Sequence, residues 1–280
     1  MFFILFILTA DHASAQPPTG YFKTTVTIGR DSINAIRAKI LSISNDLFQP
    51  YQFRGKNKIT INYRQLDPVK ISDGRKYPLV LVFHGSNAVG TNNTEQLGIL
   101  AKFWAQAAIR EEFPVYVIAP QFPVRSSNYQ ADATLGIQVS TPDACVNTAL
   151  QLIDSLKKVL PVDGSRIYVM GMSMGGSSTI NAIGLRPDLF AAGISISGVP
   201  AFNHLDVLKQ TPLWIIHGNA DDENKFDSDS LLYKKLTATK ARYLRFWEVD
   251  ALGHETFYKL YATREVPEWL FRLKRKPAGK

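Results

Sequence analysis

The stretch Ile167-Tyr168-Val169-Met170-Gly171-Met172-Ser173-Met174-Gly175-Gly176 decides how this chain is read. An apolar strand, Ile167 to Met170, leads into it, and a helix-compatible run, Ser177 to Leu185, leads out. Ser173 therefore falls on a tight strand-to-helix turn, a nucleophile elbow, which holds its hydroxyl clear of the backbone. The flanking glycines are needed because side chains there would collide with neighbouring elements. The helix that starts here offers free amides to an oxyanion. Gly-x-Ser-x-Gly by itself is a weak signal, since both residues are common in loops. The strand before it and the helix after it supply the weight.

Towards the C-terminus, the next test is the order of possible partners. In the α/β-hydrolase arrangement an acid and then a histidine follow the serine, each at the C-terminal end of a later strand. The chain has five histidines. His12 lies in the N-terminal apolar segment, His84 and His217 each precede a glycine straight after an apolar strand, and His204 sits between elements. Only His254, just after the strand-like Tyr243 to Val249, lies beyond every candidate acid. A lone histidine is more often a surface or core residue, but position and order favour catalysis here. Asp221 is the choice of acid, because it closes the short turn His217-Gly218-Asn219-Ala220-Asp221 after strand Leu213 to Ile216; Asp222 is the alternative. The other acidic residues nearby, Glu223, Asp227, Asp229 and Asp250, read as a solvated loop.

Towards the N-terminus, strand Leu79 to Phe83 runs into His84-Gly85-Ser86-Asn87. In this arrangement one oxyanion donor is the amide after the nucleophile, here Met174, and the other comes from the loop after an earlier strand, here Ser86. His84 is then a structural brace for that turn.

These segments resemble a known group. The run Tyr77-Pro78-Leu79 to Ser86, then Ala119-Pro120-Gln121, Asp163 to Tyr168, the elbow, Arg186-Pro187-Asp188-Leu189-Phe190-Ala191-Ala192, Ser195 to Gly198, His217-Gly218 with Asp221, and Gly253-His254 are similar to secreted esterases. The group includes carbohydrate esterases, feruloyl esterases and polyhydroxybutyrate depolymerases, whose bacterial members are often labelled prolyl-oligopeptidase-like peptidases. The resemblance covers about residues 57 to 273. It implies a Ser173, Asp221 and His254 triad with Ser86 and Met174 as oxyanion donors. The chain departs from the group at Asn224-Lys225, where a Val-Pro pair is common, and at Phe257, which stands in the region of an aromatic that usually follows the histidine.

At 280 residues and 45% hydrophobic content the chain is long and apolar enough for one α/β core. Strands are predicted near Lys58-Arg64, Leu79-Phe83, Val115-Ala119, Ile167-Met170, Ala192-Ile196, Leu213-Ile216 and Arg242-Val249. Helices are predicted over Glu95-Arg110, Pro142-Lys158, Ser173-Leu185, Ser228-Thr237 and His254-Arg272. This alternation implies a mostly parallel sheet with helices on both faces, without a large lid. Residues 58 to 280 form the catalytic domain in this reading, and residues 16 to 57 form an extension packed on it. That extension has a strand near Thr24-Ile28 and a helix over Ser32-Leu47 whose Ile33, Ile36, Ile40 and Ile43 face a core. The stretch Pro120 to Thr141 lacks periodicity and is expected to border the substrate pocket through Arg125 and Tyr129.

Residues 1 to 15 read as a secretory signal peptide, with the apolar run Met1 to Leu8 too short to span a bilayer and cleavage after Ala15, so a secreted or periplasmic location is expected. Cys145 is the one cysteine, so the chain forms no internal disulfide; it falls on an apolar helix face. The net charge of +8 is spread along the chain, with no nucleic-acid motif beside it. Neither a phosphate loop nor a metal-ligand spacing is present, and no cofactor is expected. The expected chemistry is ester hydrolysis through an acyl-enzyme on small or polymer-linked esters. A prolyl-oligopeptidase-like peptidase, an acyltransferase and a binding protein on a hydrolase fold are the competing readings. Oligomeric state is not legible.

Overall fold

The computed structural model describes residues 19–275; the expected signal peptide lies outside them. The chain begins with strand β1 (Gly20–Thr25), helix α1 (Arg30–Leu41) and the hairpin β2 (Gln49–Arg54) and β3 (Thr60–Leu66). Strand β4 (Tyr77–Phe83) is buried at every residue, which requires cover on both faces. It is followed by the short helices α2 (Ile99–Phe103) and α3 (Ala107–Glu112), strand β5 (Tyr116–Gln121) and a separate two-stranded hairpin, β6 (Ser127–Asp132) and β7 (Ile137–Pro142). Helix α4 (Ala144–Val159), capped by the Asp143 carboxylate on the Cys145 amide, leads into the long strand β8 (Val162–Met172). Helix α5 (Met174–Leu185), β9 (Ala192–Ile196), α6 (Leu205–Leu208), β10 (Leu213–Gly218), α7 (Phe226–Ala238), β11 (Leu244–Asp250), α8 (Lys259–Ala262) and α9 (Glu265–Phe271) complete the described chain.

The main sheet has nine strands in the order β1-β11-β10-β9-β8-β4-β5-β3-β2. The run from β1 to β5 is parallel, and β3 and β2 add antiparallel neighbours. Residues 20–54 thus supply both outermost strands. Side-chain alternation divides the core into two faces. On β4, Val80 and Val82 pack with α1, α2, α3, α8 and α9, whereas Leu79, Leu81 and Phe83 pack with α4, α5, α6 and α7. Strand order reverses between β8 and β4, since the chain runs outward from β8 to β9 on one side and from β4 to β5 on the other. In open α/β sheets the crevice at that reversal, at the C-terminal strand ends, is where ligands bind.

Several predicted boundaries differ. The predicted helix Glu95-Arg110 is two short helices separated at Trp104–Gln106, and Pro120 to Thr141 contains the β6/β7 hairpin rather than a loop. The predicted helix from His254 starts only at Lys259 and breaks before Glu265. Pro267 accounts for the break: it has no amide to donate and is tolerated only in a first turn, which a fresh start at Glu265 provides. The first strand is Gly20–Thr25 instead of Thr24-Ile28, and the Ser32-Leu47 helix ends at Leu41 with a separate 3₁₀ turn at Asn45–Leu47.

Candidate active site

The elbow takes its shape from backbone contact. Ser173 has φ 58° and ψ −124°, a conformation that an L-residue adopts only at a cost of about 1–3 kcal/mol and that recurs at functional turns. Two glycines permit it. A Cβ on Gly171 would stand 2.4 Å from the Gly175 carbonyl oxygen, and one on Gly175 would stand 2.4 Å from that of Phe83. Helix α5 therefore starts pressed against β8 and β4. The Ser173 amide continues the sheet by donating to the Ile196 carbonyl at 2.8 Å. Met174 is the first residue of α5, so its amide has no partner within the helix.

His254 and Asp221 come to this turn from the ends of β11 and β10. The His254 ring spans Ser173 and Asp221, with Nε2 at 2.9 Å from Ser173 Oγ and Nδ1 at 2.7 Å from Asp221 Oδ2. An ionised carboxylate accepts only, so Nδ1 carries the proton and Nε2 is free to accept from the serine hydroxyl. The Asp221 Oδ1 atom accepts the amides of Glu223 (3.0 Å) and Asn224 (2.9 Å), which fixes the carboxylate plane. Burial alone would raise this carboxyl. Hydrogen bonds from His217, His254 and the Asn224 amide outweigh burial and hold it well below the usual carboxylate range. Asp222 points outward and is exposed.

Ser86 opens a short 3₁₀ turn after β4 and shares a cavity of about 330 Å³ with Ser173 and His254. Gly85 stands against Ser173, since a Cβ there would be 3.8 Å from that of the serine. His84 ties this turn to the next strand: Nδ1 donates to the Gly85 carbonyl (2.7 Å) and Nε2 accepts the Phe122 amide (2.9 Å). Burial lowers its pKa to about 4, so the ring is neutral and its tautomer fixed.

The cavity walls include Ile99, Leu100 and Met172 with Gln96 and Thr256, and its rim carries Arg37, Glu95 and Glu223. Glu223 Oε2 is 3.7 Å from His254 Nε2. Arg125 and Tyr129 are not among the lining residues. Tyr129 instead bonds Ser177 Oγ (2.9 Å), which also holds the Val199 amide (2.8 Å) and contacts the Ser173 carbonyl (3.2 Å), while Arg125 lies over the Tyr129 ring at 5.2 Å. The hairpin thus supports the elbow from behind.

Asp229 corrects the solvated-loop reading, because it is completely buried on α7 and faces His217. Asn224, standing where the resembling group has a Val-Pro pair, clamps the acid loop: its side-chain amide donates to the Ser197 carbonyl (2.7 Å) and its own carbonyl accepts from His217 Nε2 (2.9 Å). No spacing rule links His217 to Asp229, so local patterns could not reveal the pair. Among the described residues no cluster of three histidine, cysteine or acidic side chains could hold a metal ion.

The sheet, with its hydrolase-type strand order and elbow, is an α/β-hydrolase fold. Residues 56–276 match the family described as "Putative esterase", and the chain belongs to that family. A thermostable esterase of known structure is 31% identical and superimposes with a TM-score of 0.73 over 82% of this chain and 64% of that one. A bifunctional acetylxylan esterase/xylanase from Neocallimastix patriciarum is 35% identical over 72 residues, 26% of this chain and 11% of that protein. Dipeptidyl peptidase 4 from Sus scrofa is 23% identical over 248 residues, 75% of this chain and 31% of that protein. The chain therefore spans about a tenth to a third of the length of these two relatives. Among the described residues no helix is long and apolar enough to cross a membrane.

Proposed function

We propose that the protein cleaves carboxylic esters through a Ser173-His254-Asp221 triad and a covalent acyl-enzyme. The observation that carries this reading is the continuous chain of contacts from Ser173 Oγ to His254 (2.9 Å) and from His254 to Asp221 (2.7 Å) at the crevice between β8 and β4. Ser173 Oγ attacks the ester carbonyl carbon as His254 Nε2 takes its proton. The amides of Met174 and Ser86 receive the tetrahedral oxyanion. His254 then protonates the departing alkoxide, and a water attacks the acyl group by the same route to regenerate Ser173. Asp221 keeps the proton on Nδ1 and stabilises the transient imidazolium.

The substrates on this reading are small acyl or aryl esters, including those carried on extracellular polysaccharide. The similarity to an acetylxylan esterase and the absence of a long insertion after β9, where α6 follows within nine residues, support it. A secreted or periplasmic location goes with the apolar leader-like segment at residues 1–15. The similarity to dipeptidyl peptidase 4 favours one second reading, a serine peptidase. The test is hydrolysis of p-nitrophenyl acetate, butyrate and octanoate, methyl ferulate, acetylated xylan and an aminoacyl-proline amide, each beside Ser173→Ala. Ester turnover lost in Ser173→Ala supports the proposal. Turnover of the amide alone moves the protein to the peptidases, and ester turnover that survives Ser173→Ala removes the triad.

A further inference from the structure

The mechanism above uses one face of the Asp221 carboxylate. The other face meets His217, an imidazole with no exposed atom and no assigned task. Strand alternation places His217 on the face of β10 shared by Leu213 and Ile215, the face that α7 covers. Asp229, the fourth residue of α7, meets it there. His217 Nδ1 lies 2.8 Å from Asp229 Oδ2, and Nε2 lies 2.9 Å from the Asn224 carbonyl and 3.3 Å from Asp221 Oδ2. That Oδ2 atom is also the one facing His254 Nδ1. A fully buried histidine and aspartate thus continue the Ser173-His254-Asp221 line by two further residues, with Phe226 edge-on to the His217 ring at 5.8 Å.

We propose that His217 and Asp229 are positioning residues for catalysis, holding Asp221 from behind and setting how much negative charge it presents to His254. The inference rests on the triad reading above. Since a carbonyl only accepts, the contact with Asn224 makes Nε2 a donor. The 2.8 Å contact at Nδ1 then shares a single proton between His217 and Asp229. Burial disfavours the imidazolium and likewise raises Asp229, so the two compete for it. Asp221 at 3.3 Å from Nε2 decides in favour of the imidazolium, whose pKa rises to about 9, and the N-terminal turn of α7 favours the Asp229 anion. The other neighbours do not compete: burial raises the Tyr129 phenol, which stays neutral and bonds Ser177 Oγ at 2.9 Å. Strand β9 has no titratable residue, and the nearest β11 carboxylate, Glu248, is engaged by Asn219 (2.7 Å) and Lys23 (3.1 Å).

A cation behind Asp221 tempers its pull on His254. Removing the cation leaves the full carboxylate charge on His254, which stabilises the His254 imidazolium and shifts the acidic limb of the kcat/KM profile upward. The experiment compares wild type, Ser173→Ala, His217→Gln and Asp229→Asn with p-nitrophenyl acetate across pH. With Ser173→Ala silent, His217→Gln and Asp229→Asn are expected to lose about 10- to 100-fold in kcat while KM stays within about twofold, because an Asp221 no longer held from behind lets His254 drift from Ser173 and this outweighs the stronger carboxylate charge. The acidic limb is expected to move up by about one pH unit in His217→Gln. Wild-type kcat and limb position in both folded variants would overturn the inference while leaving the triad intact, whereas an active Ser173→Ala would remove the triad itself. A measurement on the wild type guards against variants that fail to fold. In ¹⁵N-histidine spectra at neutral pH both His217 nitrogens are expected to carry protons, and a neutral His217 ring would overturn the inference.

Discussion

Asp221→Asn tests the site at its most constrained point, because the surrounding hydrogen bonds decide which way the new carboxamide must face. Placing its NH₂ at the Oδ1 position would set it against the amides of Glu223 and Asn224, abolishing bonds of 3.0 and 2.9 Å. Each amide left without an acceptor costs about 1–3 kcal/mol, so this orientation forfeits about 2–6 kcal/mol. The opposite orientation keeps both amides and presents NH₂ to His254; it forfeits only the longer 3.3 Å contact with His217 Nε2, which retains the Asn224 carbonyl at 2.9 Å. The imidazole can meet it by moving its proton from Nδ1 to Nε2, which costs far less. The carboxamide therefore faces His254 with its NH₂, and Nε2 becomes a donor toward Ser173 Oγ instead of an acceptor. A base held in the wrong tautomer costs about 10⁴-fold in kcat, about 5.4 kcal/mol, in the Ser-His-Asp systems where it has been measured. The expected result is a fall of that order with p-nitrophenyl acetate, KM little changed and the fold retained. The exposed Asp222→Asn is expected to remain within about twofold of wild type. An Asp221→Asn enzyme within tenfold of wild type, or a larger loss in Asp222→Asn, would refute the reasoning.

Gly175→Ala should fail to reach the native state or lose about 3 kcal/mol, because its Cβ would stand 2.4 Å from the Phe83 carbonyl and no rotamer relieves a backbone clash; a thermal melt matching wild type would contradict this. His217 is raised from 6.5 to about 9, so its contribution to stability is complete below 6.5 and is lost as pH rises through about 9. The melting temperature of the wild type should accordingly fall over that window more than that of His217→Gln, as differential scanning calorimetry would register. Tyr129→Phe removes one hydroxyl bond to Ser177 and should cost about 1 kcal/mol in urea unfolding, leaving ester selectivity unchanged because the side chain does not line the cavity. Cys145 is completely buried, and burial with Asp143 nearby pushes its thiol well above the ordinary range, so Ellman's reagent should react only after denaturant is added.

Much of the fold was legible because its signals are local. An unbroken apolar run such as Leu79 to Phe83 needs cover on both sides, and Gly171, Ser173 and Gly175 specify a turn that few other residues could make. Boundaries were less legible where packing overrides local pattern. The β6/β7 hairpin is polar along its inner face, yet Ser126, Ser127 and Ser140 are buried against Ser178 and Asn181 of α5. Hydropathy alone takes such a segment for an exposed loop.

For the proposed site, chain order by itself pointed to His254 as the one histidine after every candidate acid, and the spacing of strand and turn pointed to Asp221 among its neighbours. Those are properties of covalent order, which folding leaves unchanged. Only the tertiary structure decided which carboxylates are dry. Asp222 and Asp229 are indistinguishable as letters in an acidic stretch, but the turn after β10 sends one into solvent while the register of α7 on β10 drives the other against His217. Burial raises the energetic cost of an unpaired charge by several kcal/mol, so that placement makes an ordinary aspartate the hydrogen-bonded partner of a buried histidine.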